Sequence, residues 1–253
     1  MSKPSISIVT AVFNVEKYIR ECLLSVLNQT YSDFEHIIID DNSNDNTVKI
    51  IKDLIKNDNR FKLLELKVNR GSGKARNLGI EKAAGKYITF IDGDDMWSND
   101  RLKSHLNFME LNLVNFSHTS YSFIDQDSNE IKTPFIVRAK ELSYIDLLKK
   151  PEISCLTAMY NQEVLGKMYM SNHRAKQDYA LWLSILKSGT KCYPFKQITG
   201  FYRQHSSSNT SNKLSLIYPH MLFLKETQGF GIIKSIYYTL HWGLNGLIKY
   251  KIK

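Results

Sequence analysis

The sequence predicts an α/β protein built around a parallel sheet. Over the first 100 or so residues, strand-like and helix-like segments alternate at tight spacing, which is typical of parallel sheets. The acidic clusters IDDNS and IDGDD each follow a strand-like segment, at the sheet edge where such folds bind ligands. With 253 residues, of which 43% are hydrophobic, the chain is long enough to bury a full core.

The elements of the first part follow from hydrophobic periodicity. Four apolar runs are predicted to be strands: SISIVTAVF, FEHIIID, FKLLEL and KYITFI. The segments between them place apolar residues at helical spacing. The first helix has Ile19, Cys22, Leu23, Val26 and Leu27 on one face, the second has Val48, Ile51, Leu54 and Ile55, and the third runs through Ala75 to Ala83.

From about residue 115 the pattern is less regular. FSHTSYSFID, IKTPFIV and ISCLTAMY read as strands, and DYALWLSILKSG reads as a helix. In that helix Tyr179, Trp182, Leu183 and Leu186 share one face, and Gly189 is the predicted stop.

Charge is distributed unevenly along the chain, whose formal net charge is +9. Residues 1–100 carry 14 Lys and Arg against 15 Asp and Glu, whereas residues 101–253 carry 20 against 10. This asymmetry favours an anionic partner for the second part: a phosphate-bearing substrate, a membrane surface or nucleic acid. A basic surface that only keeps the protein soluble is the alternative.

Cysteine usage and the termini indicate a cytoplasmic protein. Cys22, Cys155 and Cys192 are far apart and form no C-x-x-C pair, so neither a disulfide framework nor a zinc cluster is predicted. The N-terminal MSKPSISIVT lacks the features of a signal peptide. The longest uncharged stretch near the end, Ser235 to Ile248, has 14 residues, fewer than the ~20 apolar residues of a membrane span.

Three common motifs fail on spacing. An EF-hand beginning at Asp40 or Asp41 would need glycine at its sixth position and glutamate at its twelfth, and neither is present. GSGKA would need a glycine at Val68 and a hydroxyl at Ala75 to be a P-loop. The same segment has Arg76 where a dinucleotide fingerprint has its third glycine.

Six segments in order give a better match. TAVFN, IDDNSNDNT, NRGSGKARNLG, GKYITFIDGDD, QDYALW and FYRQHSSSNTS together resemble the inverting glycosyltransferases of family 2, which have the GT-A fold. The resemblance runs from about Ser5 to Ser211. It implies a Rossmann-like, mostly parallel sheet flanked by helices, and transfer of a sugar from a nucleotide diphosphate, with UDP as the expected nucleotide.

The resemblance also implies where the donor and its metal bind. Asp94 is the expected ligand of Mn²⁺ or Mg²⁺ with His205 as a second ligand, while Asp95 orients its neighbours. Carboxylates suit these cations, which neutralise a diphosphate leaving group. The alternative is that the acids only cap the following helix. Expected contacts to the nucleotide sugar involve Thr10, Ala11, Phe13, Asp40, Asp41, Arg76 and Asp92.

Several of these residues have a second interpretation. Asp40 and Asp41 are also turn formers, as Ser43 and Asp45 are expected to be. Arg76 either contacts a phosphate or steadies the acidic loops, and Arg203, like His205, is a candidate for the pyrophosphate.

The resemblance also implies that Asp178 is the catalytic base, because QDYALW matches the segment in which the family carries this carboxylate. Inversion by direct displacement needs one carboxylate to deprotonate the acceptor hydroxyl. Gln177 stands where the family usually has glutamate. The alternative is that Asp178 is merely the helix N-cap, which would lower its pKa and weaken it as a base.

Three regions follow from this interpretation: a nucleotide-sugar-binding half over 1–112, an acceptor-binding and catalytic half over 113–212, and a C-terminal helical segment over 213–253. The last region mixes basic with aromatic and aliphatic residues, as helices at anionic membrane surfaces do. The alternative is a helix packed on the domain. A polyprenyl-diphosphate-linked glycan acceptor at the inner face of the cytoplasmic membrane would suit a membrane-surface segment.

Together the residues and the resemblance predict a metal-dependent inverting glycosyltransferase of surface polysaccharide biosynthesis, with no nucleic acid as partner. A sugar nucleotidyltransferase is one alternative, although the glycine-rich loop usual after its first strand is missing. A non-catalytic protein that binds nucleic acid or a membrane surface is the other. Acids at two strand ends argue against it, because they would repel phosphate without a metal.

Overall fold

A computed structural model describes residues 3–173, 175–204 and 217–251. The first half contains β1 (Ile6–Val12), α1 (Ile19–Leu27), β2 (Phe34–Asp40), α2 (Thr47–Ile55), β3 (Phe61–Glu65), α3 (Ser72–Lys82), β4 (Tyr87–Phe90), β5 (Met96–Trp97) and α4 (Arg101–Leu111). The second half contains β6 (Phe116–Ile124), β7 (Glu130–Phe135), α5 (Tyr144–Lys149), β8 (Met159–Asn161), α6 (Gln162–Leu165), α7 (Gln177–Lys187), β9 (Tyr193–Arg203), α8 (Ile217–Gln228) and α9 (Ile232–Lys251).

The strands form one sheet in the order β3-β2-β1-β4-β8-β6-β9-β5, with β7 paired to β6. The four predicted strands of the first half, β1 to β4, are confirmed and run parallel to one another. Their carboxyl ends therefore meet at one edge of the sheet. Helices flank the sheet, so the predicted α/β fold class is confirmed.

The second half departs from the prediction in several places, among them the short helices α5 and α6, which were not predicted. ISCLTAMY is not a strand throughout: Cys155–Thr157 form a 3₁₀ turn and β8 begins only at Met159. Side chains from another part of the chain stabilise this turn: the Leu156 carbonyl oxygen accepts hydrogen bonds from Trp97 Nε1 at 2.9 Å and Arg101 Nη2 at 3.2 Å. The long strand β9 was not predicted, and its register against β6 is irregular.

The core lies on both faces of the sheet. Along β1, Ile6 and Ile8 pack in one buried cluster and Val9 in the other, as the two-residue period of a strand requires. The second cluster continues across α7 through Trp182, which stacks on Phe116. Since β4 pairs with β8, both halves share one sheet. The predicted division at residue 112 lies just after the end of α4, and it stays an interpretation.

Part of the basic excess of residues 101–253 is internal. Arg101 is fully buried, its Nη1 lies 2.6 Å from His105 Nδ1, and its Nη2 donates to the Thr89 hydroxyl at 3.1 Å. Burial lowers the pKa of Arg101 to about 9. At the C-terminus, α8 and α9 pack on each other and α9 also packs on α5. Within the described ranges, no helix has the length and hydropathy needed to cross a membrane.

Candidate active site

The loops after β1 and β2 are bound to each other at the carboxyl edge of the sheet. The Asn14 backbone N–H donates to Ser43 Oγ at 3.0 Å, and the Asn44 N–H donates to Asn14 Oδ1 at 2.9 Å. Asp45 Oδ2 accepts from the Glu16 N–H at 3.1 Å. The expected loop-forming roles of Ser43 and Asp45 are therefore confirmed.

Asp40 ends β2 within this pair of loops and is 2% exposed. Its Oδ2 accepts a hydrogen bond from the Ser43 N–H at 3.0 Å. Its Oδ1 is buried without a hydrogen-bond partner among the described residues. A buried acceptor without a donor is costly, so this oxygen is suited to a donor from a ligand. Phe13, just past the end of β1, is 46% exposed.

Asp41 has a clear structural role. Its two carboxylate oxygens accept from the backbone N–H groups of Arg70 at 2.8 Å and Gly71 at 2.7 Å. Gly71 precedes α3 with φ of +85°, a conformation that glycine adopts without strain. Asp41 thus fixes the loop that leads into α3, a long-range role that differs from the local turn-forming interpretation. Its contact with the nucleotide stays a prediction.

Thr10 and Ala11 lie within β1. Thr10 is fully buried, and its hydroxyl is 2.8 Å from His36 Nε2. Burial lowers the pKa of His36 to about 3, so this imidazole is neutral. The Thr10 hydroxyl therefore already has an internal partner, and Ala11 pairs with Ile39 in the sheet. Nucleotide contacts of these two residues stay predictions.

The acidic loop Asp92–Asp95 follows β4 and packs closely against the first strand. A Cβ atom on Gly93 would lie 2.9 Å from Val12 Cγ1 and 3.2 Å from Val15 Cγ2, so glycine is required there. Asp92 forms an ion pair with Arg76 of α3. Asp94 is partly exposed, and its backbone carbonyl accepts from Arg203 Nε at 2.7 Å.

Asp95 points inward and is 1% exposed. Its Oδ1 accepts from the Arg203 backbone N–H at 2.8 Å, and its Oδ2 is buried without a hydrogen-bond partner in the described part of the chain. Burial, with the charges of Asp94 and Asp92, raises the pKa of Asp95 well above its usual range. Asp95 therefore ties the acidic loop to β9, which agrees with its expected orienting role.

The expected contact between Arg203 and the pyrophosphate is wrong. The Arg203 side chain is fully buried, and its Nη2 lies 2.6 Å from Glu21 Oε2. Its Nη1 donates to the Asp125 carbonyl oxygen at 2.9 Å and to Ser128 Oγ at 3.0 Å. Because these internal acceptors already engage the guanidinium, Arg203 stabilises the acidic loop from the protein interior.

Arg76 links the donor-side acids to the candidate base. Burial disfavours its charged form, but Asp92 above all, with smaller contributions from Cys155 and Asp178, outweighs burial and raises the Arg76 pKa. The Asp92 ion pair confirms that Arg76 steadies the acidic loop. Contact with a phosphate stays a prediction.

Asp178 is the second residue of α7, and the N-cap residue is Lys176, so Asp178 is not the N-cap itself. Burial raises the pKa of Asp178, Arg76 opposes that rise, and Asp92 adds to it. Hydrogen bonds from backbone N–H groups of the first turn nevertheless act to lower its pKa, as the capping alternative expects. A carboxylate with a raised pKa is a better proton acceptor than an ordinary one. The site thus places a candidate base within electrostatic reach of Asp92.

No sequence pattern indicates how the segment before Asp178 is held. Lys176 adopts a left-handed conformation, with φ of +58°. Its Nζ lies 2.8 Å from His220 Nδ1 and 3.8 Å from the ring centroid of Trp242. Burial lowers the pKa of Lys176 to about 7. Gln177, next in the chain, accepts from Ser72 Oγ at 3.0 Å.

A metal would have few protein ligands here. Among the described residues, no group of three or more His, Cys, Asp or Glu side chains could hold an ion. His205, the second predicted ligand, lies outside the described residues. Asp92 and Asp94 supply oxygen ligands of the kind that Mg²⁺ and Mn²⁺ prefer, and Mg²⁺ sites often use one or two carboxylates with substrate phosphates.

A parallel sheet with acids and a candidate base at its carboxyl edge defines an α/β enzyme that binds its substrate at the strand ends. Residues 7–168 match the family described as glycosyl transferase family 2. The chain belongs to this family, and it is a glycosyltransferase. The prediction made from the six sequence segments is confirmed.

Named relatives span nearly the whole chain. An uncharacterized glycosyltransferase of Haemophilus influenzae is 38% identical over 253 residues, covering 99% of this chain and 100% of the relative. The putative teichuronic acid biosynthesis glycosyltransferase TuaG of Bacillus subtilis is 35% identical, covering 98% of each chain. WfaP of Escherichia coli, named as a UDP-Glc:alpha-D-GlcNAc-diphosphoundecaprenol beta-1,3-glucosyltransferase, is 32% identical, covering 97% of this chain and 95% of its own.

Solved structures share the fold. Staphylococcus aureus TarS 1–349 in complex with UDP-GlcNAc superposes with a TM-score of 0.73 at 19% identity, covering 98% of this chain and 76% of that chain. The mannosyltransferase PcManGT of Pyrobaculum calidifontis, in complex with GDP-Man and Mn²⁺, gives 0.66 at 14% identity, covering 100% and 77%. At these identities the likeness establishes the fold alone.

Proposed function

We propose that this glycosyltransferase moves a sugar, with inversion, from a UDP-sugar to a lipid-linked glycan during surface polysaccharide biosynthesis. One observation carries the proposal: α3 connects the two acids, because its Arg76 pairs with Asp92 of the donor-side loop and its Ser72 Oγ donates to Gln177, the residue before Asp178, at 3.0 Å. A donor-side acid and a candidate base therefore share one small region of the molecule.

The nucleotide would bind between the loops that follow β1 and β2. Asp40 Oδ1, buried without a hydrogen-bond partner in the described residues, is suited to accept a hydrogen bond from an N–H of the base. The exposed ring of Phe13 offers a stacking surface beside it. Uracil carries such an N–H, and TarS, which shares the fold, is known in complex with UDP-GlcNAc.

The diphosphate would lie at the acidic loop. Asp94, with Asp92 beside it, would hold a divalent cation of the Mg²⁺ or Mn²⁺ type, and the few protein ligands leave room for phosphate oxygens. When bound, such a cation offsets the negative charge that develops on the leaving diphosphate. PcManGT, with the same fold, is known in complex with Mn²⁺.

Asp178 would act as the base. Its carboxylate takes the proton from the acceptor hydroxyl while the hydroxyl oxygen bonds to the anomeric carbon and the bond to the diphosphate breaks. Attack from the side opposite the leaving group inverts the anomeric centre. Because burial raises the pKa of Asp178, its charged form is a stronger base than an exposed carboxylate.

The acceptor class is proposed from the relatives. WfaP is named for a diphosphoundecaprenol-linked acceptor, and TuaG for teichuronic acid biosynthesis. An acceptor of that kind is anchored in a membrane, whereas a nucleotide-sugar is water-soluble. We therefore place the reaction at the inner face of the cytoplasmic membrane.

Calorimetric titration with UDP, GDP, CDP and ADP, each with and without Mn²⁺, tests the donor site. We expect UDP to bind more tightly than the other three, and only with the metal. Binding of a different nucleotide would change the proposed donor but support the proposed position of the donor site. If no nucleotide bound under any condition, the proposed donor site would be wrong.

A further inference from the structure

The C-terminal helix α9 exposes its more hydrophobic face. Large apolar side chains point to solvent along one stripe, here called the α9 stripe: Ile233, Ile236, Tyr237, Leu240 and Leu244. These positions follow the i, i+3, i+4, i+7 spacing of a single helix face. Ile233 is 82% exposed and Leu244 is 62% exposed.

The opposite face of α9 packs on the domain although it carries polar groups. Ser235 and Thr239 are buried, and Asn245 Nδ2 donates to the Lys149 carbonyl oxygen at 3.1 Å. Trp242 lies on the same face and stacks on His220 with ring centroids 4.2 Å apart. The helix is therefore anchored on one side, and its outward stripe is not needed to hold it in place. Contiguous apolar surface of this kind marks an interaction site.

We infer that the α9 stripe is a docking surface for a lipid bilayer that carries anionic headgroups. The composition of the C-terminal segment favours this occupant, because residues 225–253 contain five Lys against one Glu. Lys234 lies beside the stripe, with its Nζ 4.2 Å above the Phe230 ring. Aliphatic and tyrosine side chains flanked by lysines are the composition of helices that lie in the interface of an anionic membrane.

A second copy of the chain fits this surface less well. Two copies that met through the stripe would bring two lysine-rich segments together, and each chain carries a formal net charge of +9. Like charges at short range oppose such an association, whereas anionic lipid attracts the same lysines. Charge complementarity therefore favours the bilayer.

The position of the α9 stripe suggests what membrane docking does for catalysis, a step that rests on the proposed function. The packed face of α9 carries Trp242, whose ring lies 3.8 Å from Lys176 Nζ, and Lys176 is two residues before Asp178. A helix with side chains is about 10–12 Å across. Docking through α9 would thus hold the segment of the candidate base near the membrane, where a lipid-linked acceptor is confined.

Co-sedimentation with vesicles tests the docking. The full chain is mixed with vesicles of phosphatidylglycerol and phosphatidylcholine in equal amounts, and with phosphatidylcholine alone. We expect binding to the anionic vesicles that weakens as salt is raised. The triple variant Ile233→Ser, Ile236→Ser, Leu240→Ser should bind at least roughly tenfold more weakly, because each lost apolar side chain removes more than a tenfold factor when fully inserted.

A matched control removes exposed apolar side chains elsewhere: Leu111→Ser, Leu113→Ser, Val164→Ser, all of which are more than half exposed. This variant should bind vesicles as the wild type does. Wild-type protein that stays in the supernatant, or a stripe variant that binds as well as wild type, would overturn the inference. So would a wild-type dimer that the stripe variant turns into a monomer without any vesicle binding.

Binding of UDP with Mn²⁺ separates this inference from the proposed function. It should be the same in the wild type and in the stripe variant, which also shows that the variant is folded. Vesicle binding without any UDP binding would remove the proposed donor and leave the docking surface standing. UDP binding without vesicle binding would support the proposed donor site and overturn the docking surface.

Discussion

The donor side and the base side of the site are held in different ways. On the donor side, Asp40 and Asp41 accept hydrogen bonds from backbone N–H groups of loops at the same sheet edge. On the base side, the residues next to Asp178 are held by distant parts of the chain: Gln177 by Ser72 of α3, and Lys176 by His220 of α8. Donor binding should therefore be insensitive to the C-terminal helices, whereas the position of the base depends on them.

Arg76 belongs to both sides. It pairs with Asp92 on the donor side and lowers the pKa of Asp178 on the base side. A change at Arg76 should accordingly affect both donor binding and proton transfer, and changes elsewhere should affect only one.

The largest effect is expected for Asp178→Asn. An amide cannot accept the acceptor proton, so kcat should fall by about 10²–10⁴-fold, the usual contribution of a general base. Calorimetric binding of UDP with Mn²⁺ should be unchanged, because no donor-side hydrogen bond is lost. The exposed Asp53 of α2 gives the control Asp53→Asn, which should keep full activity. An unchanged rate in Asp178→Asn would remove this residue from the mechanism.

Asp94→Ala should affect the donor side instead. Loss of a cation ligand should weaken Mn²⁺-dependent UDP binding by at least about tenfold, or about 1.4 kcal/mol. Titrations of UDP at several Mn²⁺ concentrations measure this, with Asp53→Ala as the control. If the variant keeps the wild-type dependence on Mn²⁺, then Asp94 is not the ligand.

The donor side was also the easier one to predict from sequence. β1 to β4 are short apolar runs bounded by turn residues, and parallel strands bring their acids to one edge whatever the details of the loops. Asp40 and Asp92 were accordingly placed at the right edge of the sheet. The separate roles of Asp40 and Asp41 could not be predicted, because they depend on which backbone N–H groups the loops turn inward.

Long-range contacts explain the failures. ISCLTAMY has the composition of a strand, but the Leu156 carbonyl is needed by Trp97 and Arg101, and a 3₁₀ turn presents it to them. Arg203 was predicted to contact phosphate because of its positive charge. Its side chain is instead buried, and its internal partners are Glu21 and the Asp125 carbonyl oxygen. A local pattern contains no information on partners that lie 55 to 182 residues away in the sequence.

Arg76→Gln should give the third-largest effect, seen in the pH profile. Arg76 lowers the pKa of Asp178, so without its charge that pKa rises. Since the base must be deprotonated, the acidic limb of the kcat profile should move to higher pH. Arg76→Lys keeps the positive charge but loses the planar guanidinium with its paired N–H donors, and it should shift the acidic limb of the kcat profile less than Arg76→Gln does. A profile that did not move in Arg76→Gln would show that Arg76 serves Asp92 alone.

Lys176→Met should give the smallest effect and tests how the base side depends on the C-terminal helices. Burial lowers the pKa of Lys176 to about 7, whereas an unfolded lysine has a pKa of about 10.4. Between these values the unfolded chain holds a proton that the folded chain has released. The free energy of unfolding of the wild type should therefore rise from pH 7 to pH 10 relative to the variant.

Urea denaturation across this pH range measures the difference, and Lys187→Met, at an exposed lysine of α7, is the control, which should follow the wild type. Lys176→Met should also lower kcat several-fold while UDP binding stays the same, because its partners His220 and Trp242 lie on the C-terminal helices. If UDP binding weakened together with kcat, the two sides of the site would not be held independently. The C-terminal helices would then support the donor loops as well as the base.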